Sequence, residues 1–271
     1  MADRSLFELV WDQFFTTVAT KIRSRARRNG DFRNIVVPID DVIGMRVFAT
    51  GRWEFTLLDG IRDLLIKSSG QTKKLGVFLD VGANIGLFSV ALAKFFEATL
   101  AFEANPTTYK ILEANIALSG APNVRCINLG VSSKAGTATL HSPQDNLGWA
   151  TLNPSRHTEA IQTQIKLDTL DNLVQGAGLG PYPVSLLKVD VEGHEAEVLS
   201  GARGTLQRWN PIVLFEVLDG EAGARSLAIL KDCGYGRYCT FHRSRSLSAP
   251  VVLKDYDSSN PQSAGLVCAM K

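Results

Sequence analysis

Cysteine is scarce in this 271-residue chain and follows no pattern. The 4 cysteines, Cys126, Cys233, Cys239 and Cys268, form no Cys-x-x-Cys pair and show no metal-ligand spacing. Three of them sit in apolar, strand-like surroundings, which reads as reduced thiols in the core of a cytoplasmic protein. No apolar run approaches the ~20 residues that a membrane-spanning helix needs. The opening Met-Ala-Asp-Arg mixes charge into its apolar residues, unlike a secretory leader. An excess of one charge is missing too. Lys and Arg total 29 against 27 Asp and Glu, and the net charge of +2 makes no case for a nucleic-acid partner. Repeats, low-complexity tracts and a Gly-Lys-Ser/Thr phosphate loop are absent. What remains is a chain 45% hydrophobic and 21% charged, which fits one globular domain with an appendage.

The most informative segment runs from Val77 to Ser89, Val-Phe-Leu-Asp-Val-Gly-Ala-Asn-Ile-Gly-Leu-Phe-Ser. An apolar run ends near Asp80, turns through Gly82 and Gly86, and resumes as an apolar helix. This reads as strand, tight turn and helix N-terminus, the usual start of a cofactor site in an open α/β sheet. Glu103 closes the next apolar run, where a carboxylate can accept hydrogen bonds from both hydroxyls of a ribose. A nicotinamide fingerprint wants glycine where Asn84 stands, so that the backbone can approach a pyrophosphate. Asp80 would repel a pyrophosphate and welcome the ammonium and sulfonium of S-adenosylmethionine. S-adenosylmethionine is therefore the expected cofactor. The bland alternative is a buried turn with no ligand, its glycines serving the backbone alone.

Residues 5 to 28 carry apolar residues at helical spacing and then turn basic at Lys21, Arg23, Arg25, Arg27 and Arg28. Packing on the main domain or contact in a homodimer is the preferred reading of this amphipathic helix, with a membrane-surface helix as the other. Residues 35 to 50 read as two short strands, and Leu57 to Ile66 as a helix. Strands are expected near 76–81, 98–103, 124–129, 185–190 and 211–217, and helices near 86–96, 106–119, 193–208 and 221–232. Such alternation implies an α/β fold with a mostly parallel sheet covered on both faces. Tyr235 to Phe241 and Leu266 to Met270 would add an antiparallel hairpin at its edge. Thr137 to His141 and Ile161 to Leu167 read as strands flanking a polar loop that carries Trp149, a candidate substrate wall. The expected division is a helical N-terminal cap over 1–70 and a cofactor-binding domain over 71–271.

Ligands of open α/β sheets sit at the carboxyl ends of the strands. Asp80, Glu103, Asn128, Asp190 and Glu216 all fall at expected strand ends, which core packing does not explain. The block Leu187-Lys188-Val189-Asp190-Val191-Glu192-Gly193-His194-Glu195 is the second strong motif. Together with Asp80 to Gly86, Phe102-Glu103-Ala104-Asn105-Pro106, Leu167-Asp168-Thr169-Leu170, Gly201-Ala202 and Glu216, it resembles the FkbM family of S-adenosylmethionine-dependent methyltransferases over roughly residues 50 to 220. The resemblance implies a class I, Rossmann-like methyltransferase fold. It also implies O-methylation of a hydroxyl on a sugar, glycolipid or secondary metabolite. It assigns Gly82, Ala83, Asn84 and Gly86 to the cofactor turn, Glu103 and Ala104 to the ribose, and Asn128 and Gly130 to the adenine border. Asp80 belongs to the same pocket, and Glu54 to its methionine end.

An alcohol is a poor nucleophile at neutral pH, and a placed base typically contributes ~10²–10⁴-fold in rate. His194 is the candidate, with an ordinary pKa near ~6.5, and Asp190, Glu192 or Glu195 would orient its ring. The competing reading makes His194 a helix cap, with Glu192 and Glu195 complementing the helix dipole. Asp190, Glu192, His194 and Glu216 also form an oxygen-rich rim that suits Mg²⁺, although the same carboxylates can bind a sugar or the methionine ammonium without a metal. His141, His157 and His242 are weaker candidates, and Arg243-Ser244-Arg245 offers cations to a substrate anion or to solvent. The rival from another class is a non-catalytic S-adenosylmethionine-binding regulatory or scaffold protein. Intact Asp190, Glu192 and His194 argue against it. An N-methyltransferase is disfavoured because no Asn-Pro-Pro-Tyr-like segment follows the fourth strand.

Overall fold

The computed structural model describes residues 32, 34–38, 42–69, 74–143, 147–156, 160–217, 220–243, 250–257 and 266–271. The basic helix expected over residues 5 to 28, the dimer contact expected of it, His157, Ser244 and Arg245 lie outside the described residues. Two helices come first, α1 (Val42–Thr50) and α2 (Phe55–Ser69). The βα alternation then runs β1 (Leu75–Val81), α3 (Leu87–Leu92), β2 (Phe96–Phe102), α4 (Pro106–Ser119) and β3 (Val124–Ile127). A small sheet interrupts it with β4 (Gly130–Val131), β5 (Gly136–Ser142) and β6 (Ile161–Asp168), followed by α5 (Leu170–Gly176). The main sheet resumes with β7 (Val184–Val189), α6 (Glu195–Ser200), α7 (Arg203–Trp209), β8 (Ile212–Glu216) and α8 (Gly220–Asp232). It closes with β9 (Arg237–His242), β10 (Val252–Asp255) and β11 (Leu266–Met270).

The main sheet has the order β10-β9-β11-β8-β7-β1-β2-β3. Its β8-β7-β1-β2-β3 half is parallel, and β11, β9 and β10 pair antiparallel. Both faces of β1 are covered, which is why its sequence is a nearly unbroken apolar run. Val77, Leu79 and Val81 point into a core shared with Leu170, Val198, Leu206 and Leu230. Phe78 points the other way, into a core with Leu58, Ile61, Leu65, Phe88 and Leu92. Helix α2 thus contributes three fully buried side chains to the main core.

Local signals explain the clearest boundaries. In α4 the Asn105 side chain accepts from the Thr107 and Thr108 N–H groups, Pro106 takes the first turn, and Gly120 closes the helix at φ 66°. The small sheet carries the expected antiparallel pair, Gly136↔Leu167 through Ser142↔Ile161.

Three expectations are corrected. Residues 42–50 form α1 rather than a strand: Gly44 and Val47 are buried while Val42, Met45 and Phe48 are exposed, a helical spacing that overrides the β-branched content. The single helix expected over 193–208 is broken into α6 and α7 at Gly201, where a Cβ would stand 2.1 Å from the Ser132 carbonyl oxygen. The expected antiparallel pairing of β9 with β11 is present, but the edge strand is β10, and β11 lies between β8 and β9.

Candidate functional site

The glycine turn is built by backbone contacts. Gly82 and Ala83 N–H donate to the Phe102 carbonyl at 3.1 and 2.9 Å. Gly82 has φ 73°, and a Cβ there would stand 1.8 Å from the Asp190 carbonyl oxygen, so only glycine fits between β1 and the β7 exit. Asn84 is also left-handed, at φ 51°, and its N–H donates to Glu103 Oε2 at 2.9 Å. Glu103 Oε1 accepts from the Asn105 N–H at 2.8 Å. Burial pushes the Glu103 carboxyl up to about 7, against the pull of these two N–H groups. Asn128 stands outside and donates its amide to the Glu103 and Ala104 carbonyls at 2.8 and 3.2 Å.

Two cavities meet at this turn, and both are bordered by Gly82, Asn84 and Asp190. The first, about 620 Å³, has apolar walls from Phe102, Leu129, Val131, Leu152 and Ile165, with the Glu103 carboxyl buried in it, Asp190 at its border and His194 on its rim. An apolar cavity with a buried carboxyl has the parts that a nucleoside needs. The second, about 880 Å³, is acidic: Glu54, Asp190, Glu192 and Glu216 border it, with Lys188 beneath and Trp149 at the edge. Carboxylate oxygens of Asp190, Glu192 and Glu216 lie within 4.8 Å of one another. Burial first, then the neighbouring Asp190 charge, raises Glu192 to about 7 and Glu216 to about 9. Glu54 is pushed up by the same two causes, a push weakened by the solvent that reaches its exposed side chain.

Lys188 organises the floor. It is 2% exposed, 3.2 Å from Asp190 Oδ2 and 3.5 Å from Asp80 Oδ1, and it donates to the Gly82 carbonyl at 3.1 Å. Its ammonium also lies 5.1 Å from the centre of the Phe88 ring. Burial opposes the charge, and the Asp190 and Asp80 carboxylates more than reverse that opposition. Of the three clustered carboxylates, Lys188 pairs with Asp190. Glu192 has φ 54° and is held from the loop between β5 and β6. Thr151 Oγ1 and Arg156 Nη1 donate to its carbonyl at 2.8 and 2.9 Å, and Arg156 reaches its carboxylate at 3.2 Å.

The structure redistributes several residues named from the sequence. Asp80 lies one layer behind the turn, fully buried, where Ser89 Oγ donates to it at 2.6 Å, and it borders neither cavity. Gly86 starts α3 at φ 89° against Leu112. Ala104 and Gly130 border the first cavity, Ala83 and Glu54 the second. His194 is not among the clustered carboxylates. Its ring contacts Ser132 Oγ at 2.9 Å through Nε2 and Glu197 Oε2 at 3.7 Å through Nδ1, so none of Asp190, Glu192 and Glu195 orients it. Burial lowers its pKa. His194 occupies the cap position of α6 without a capping bond. Glu195 makes the local bonds instead, accepting from Val191 and Gly193 N–H at 3.1 Å each. Arg243 pairs with Asp59 at 2.5 Å and packs on Phe55. Lys188, Ser132, Thr151 and Arg156 received no role from the sequence. Only Lys188 gave a signal, as a cation inside an apolar strand run.

A glycine turn and an acidic residue at adjacent ends of a parallel sheet, beside two cavities that share Gly82, Asn84 and Asp190, are the layout of a Rossmann-like fold, and the family is that of a methyltransferase. The chain belongs to the FkbM methyltransferase family: the model of the methyltransferase FkbM domain matches residues 80–236. The methyltransferase sdnD of Sordaria araneosa is 35% identical over 153 residues, covering 45% of this chain and 59% of that protein. The hexuronic acid methyltransferase AglP of Haloferax volcanii is 34% identical over 163 residues, covering 60% of this chain and 64% of that protein. The chain spans about three fifths of the length of these two curated relatives. Among solved structures, methyltransferase FkbM from Methylobacillus flagellatus superposes with a TM-score of 0.45 at 15% identity, covering 74% of this chain and 45% of that one. Among the described residues no helix is long and apolar enough to cross a membrane.

Proposed function

We propose that this methyltransferase uses S-adenosylmethionine to methylate a hydroxyl of a sugar, glycolipid or secondary-metabolite acceptor. One observation carries the reading: an apolar cavity with a buried carboxylate and an acidic cavity meet at Gly82, Asn84 and Asp190. The first fits an adenosine, with Glu103 toward the ribose hydroxyls. The second fits the positively charged methionine end and the acceptor. A dinucleotide fits poorly, because its pyrophosphate would face Asp190 and Glu192. When bound, S-adenosylmethionine supplies a methyl group already activated by its sulfonium.

The protein's remaining work is alignment and proton removal. Asp190 borders both cavities and is fixed by Lys188, which also holds the Gly82 carbonyl, so the turn and the carboxylate keep one spacing. Glu192, raised to about 7 and gripped by Thr151 and Arg156, is the proton acceptor. With the cofactor in place, Glu192 would take the proton of the acceptor hydroxyl and Asp190 would hold that hydroxyl in line with the methyl group. His194 belongs to the wall of the adenosine cavity. The name of AglP, a hexuronic acid methyltransferase, supports a carbohydrate-like acceptor.

The test is transfer of labelled methyl from S-adenosylmethionine to a library of hydroxylated small molecules. O-methylation of a hydroxyl predicts label in a product that survives alkali. Label released by alkali, as from a carboxyl ester, or found on nitrogen would refute it.

A further inference from the structure

Helix α1 is buried on one side only. Gly44 and Val47 face the core, while Val42, Met45 and Phe48, three apart, stand 62%, 63% and 44% exposed on the outer side. Arg46, Ala49 and Thr50 are exposed as well, and the helix carries no acidic residue. The Arg46 guanidinium lies 5.8 Å from the centre of the Trp53 ring. Single exposed apolar side chains are ordinary, but a row of them on one helix of 9 residues is a surface for something apolar. Positive charge collects along the same part of the chain. Residues 21–54 hold eight Lys or Arg and four acids, Glu54 included, a surplus of four against +2 for the whole chain, so the remainder is net acidic. The basic stretch from Lys21 to Arg28 joins the described residues at Phe32, whose N–H donates to the Gly51 carbonyl at the end of α1 at 3.4 Å. Four residues of chain tether Arg28 within about 14 Å of that point.

We propose that the outer face of α1 docks on an anionic lipid surface, with Val42, Met45 and Phe48 at the acyl boundary and the cations among the headgroups. Apolar side chains on one face of a helix, with Lys and Arg beside them, are what an interfacial helix presents to lipid. The cations select an anionic surface over a neutral one. The apolar row selects lipid over nucleic acid, whose phosphates would take the cations and leave the row in water. Val42 and Ile43 also border the second cavity, so a docked α1 sets that cavity beside the headgroups. The docking goes beyond the methyltransferase reading and does not depend on it.

The experiment is flotation of the full chain with vesicles of phosphatidylcholine, alone or with one-third phosphatidylglycerol, at low and high salt. The anionic vesicles are expected to bind the protein on the order of tenfold or more tighter than the neutral ones, and salt should weaken that binding. The variant Met45→Ser/Phe48→Ser alters two exposed side chains that border neither cavity. It should bind the anionic vesicles roughly tenfold or more weakly, with its melting temperature and S-adenosylhomocysteine binding unchanged. Arg46→Gln should weaken binding about fivefold. No flotation with either vesicle would overturn the proposal. So would unchanged flotation of the Met45→Ser/Phe48→Ser variant, which would assign the binding to the basic stretch alone. Self-association that this variant abolishes, without flotation of the unaltered protein, would overturn it in favour of a second copy of the chain on α1.

Discussion

Replacing Glu103 by alanine separates a ligand role from a structural one. Its two oxygens accept the Asn84 and Asn105 N–H groups at 2.9 and 2.8 Å, and the residue is 9% exposed. A hydrogen bond to a charged group contributes about 1.5–3 kcal/mol. The carboxyl is raised to about 7, so binding at neutral pH must first remove part of its proton, and the net effect is nearer one such bond than two. At about 1.4 kcal/mol per tenfold, Glu103→Ala should weaken S-adenosylhomocysteine binding by roughly 10- to 150-fold. Stability should respond differently. Two N–H groups lose an acceptor, but they border a cavity that water can enter, and a carboxylate that resists ionisation is removed. In the folded protein Glu103 holds its proton above its ordinary 4.5, so its contribution to stability falls as pH rises from about 4.5 to about 7. The variant should therefore lose more Tm at pH 5 than at pH 8. Calorimetric titration and thermal melts at both pH values read the two effects. Unchanged affinity, or a larger Tm loss at pH 8, would refute the reasoning.

Other substitutions probe the frame of the site. Gly82→Ala should cost more than the ~1–2 kcal/mol of left-handed strain, because its Cβ would meet the Asp190 carbonyl at 1.8 Å, and it should abolish cofactor binding; a wild-type melting curve would count against that packing. Lys188→Met strands fully buried Asp80 and should cost about 3–5 kcal/mol in urea unfolding, with Asp80→Asn/Lys188→Met recovering part of the loss; equal losses would show that the pair is not coupled. Because Glu192 and Glu216 keep protons to about 7 and about 9, stability should decline from pH 6 to pH 9, and Glu216→Gln should flatten the upper half of that decline. His194→Ala should weaken S-adenosylhomocysteine binding by roughly tenfold or less through lost wall packing, with transfer otherwise retained. A large fall in turnover at unchanged affinity would make the ring the base instead of Glu192.

The sequence was most legible where local chemistry decides structure. The Asn105-Pro106 start and Gly120 stop define α4 without tertiary help. The unbroken apolar run of β1 announces a strand covered on both faces. Helix α1 was not legible, because Val42, Ile43 and Val47 are β-branched and only packing reveals which are buried. The break at Gly201 depends on the Ser132 carbonyl, 69 positions away in sequence, and no local pattern records that approach. At the site, strand ends located Glu103, Asp190 and Glu216, but not the directions of their neighbours. His194 and Glu192 are two positions apart and face different cavities. The buried pair of Asp80 and Lys188 follows from the register of β1 and β7, where the two residues stand opposite one another. Register lies beyond a single strand's sequence, although a lysine inside Leu186-Leu187-Lys188-Val189 demands a buried anion somewhere.

The central claim is that the cavity floored by Glu103 binds adenosine as part of S-adenosylmethionine. Calorimetric titration of the unaltered protein with S-adenosylmethionine, S-adenosylhomocysteine and NAD tests it most directly. Saturable one-to-one binding of the first two and none of NAD is expected. Binding of NAD, or of none of the three, would contradict it.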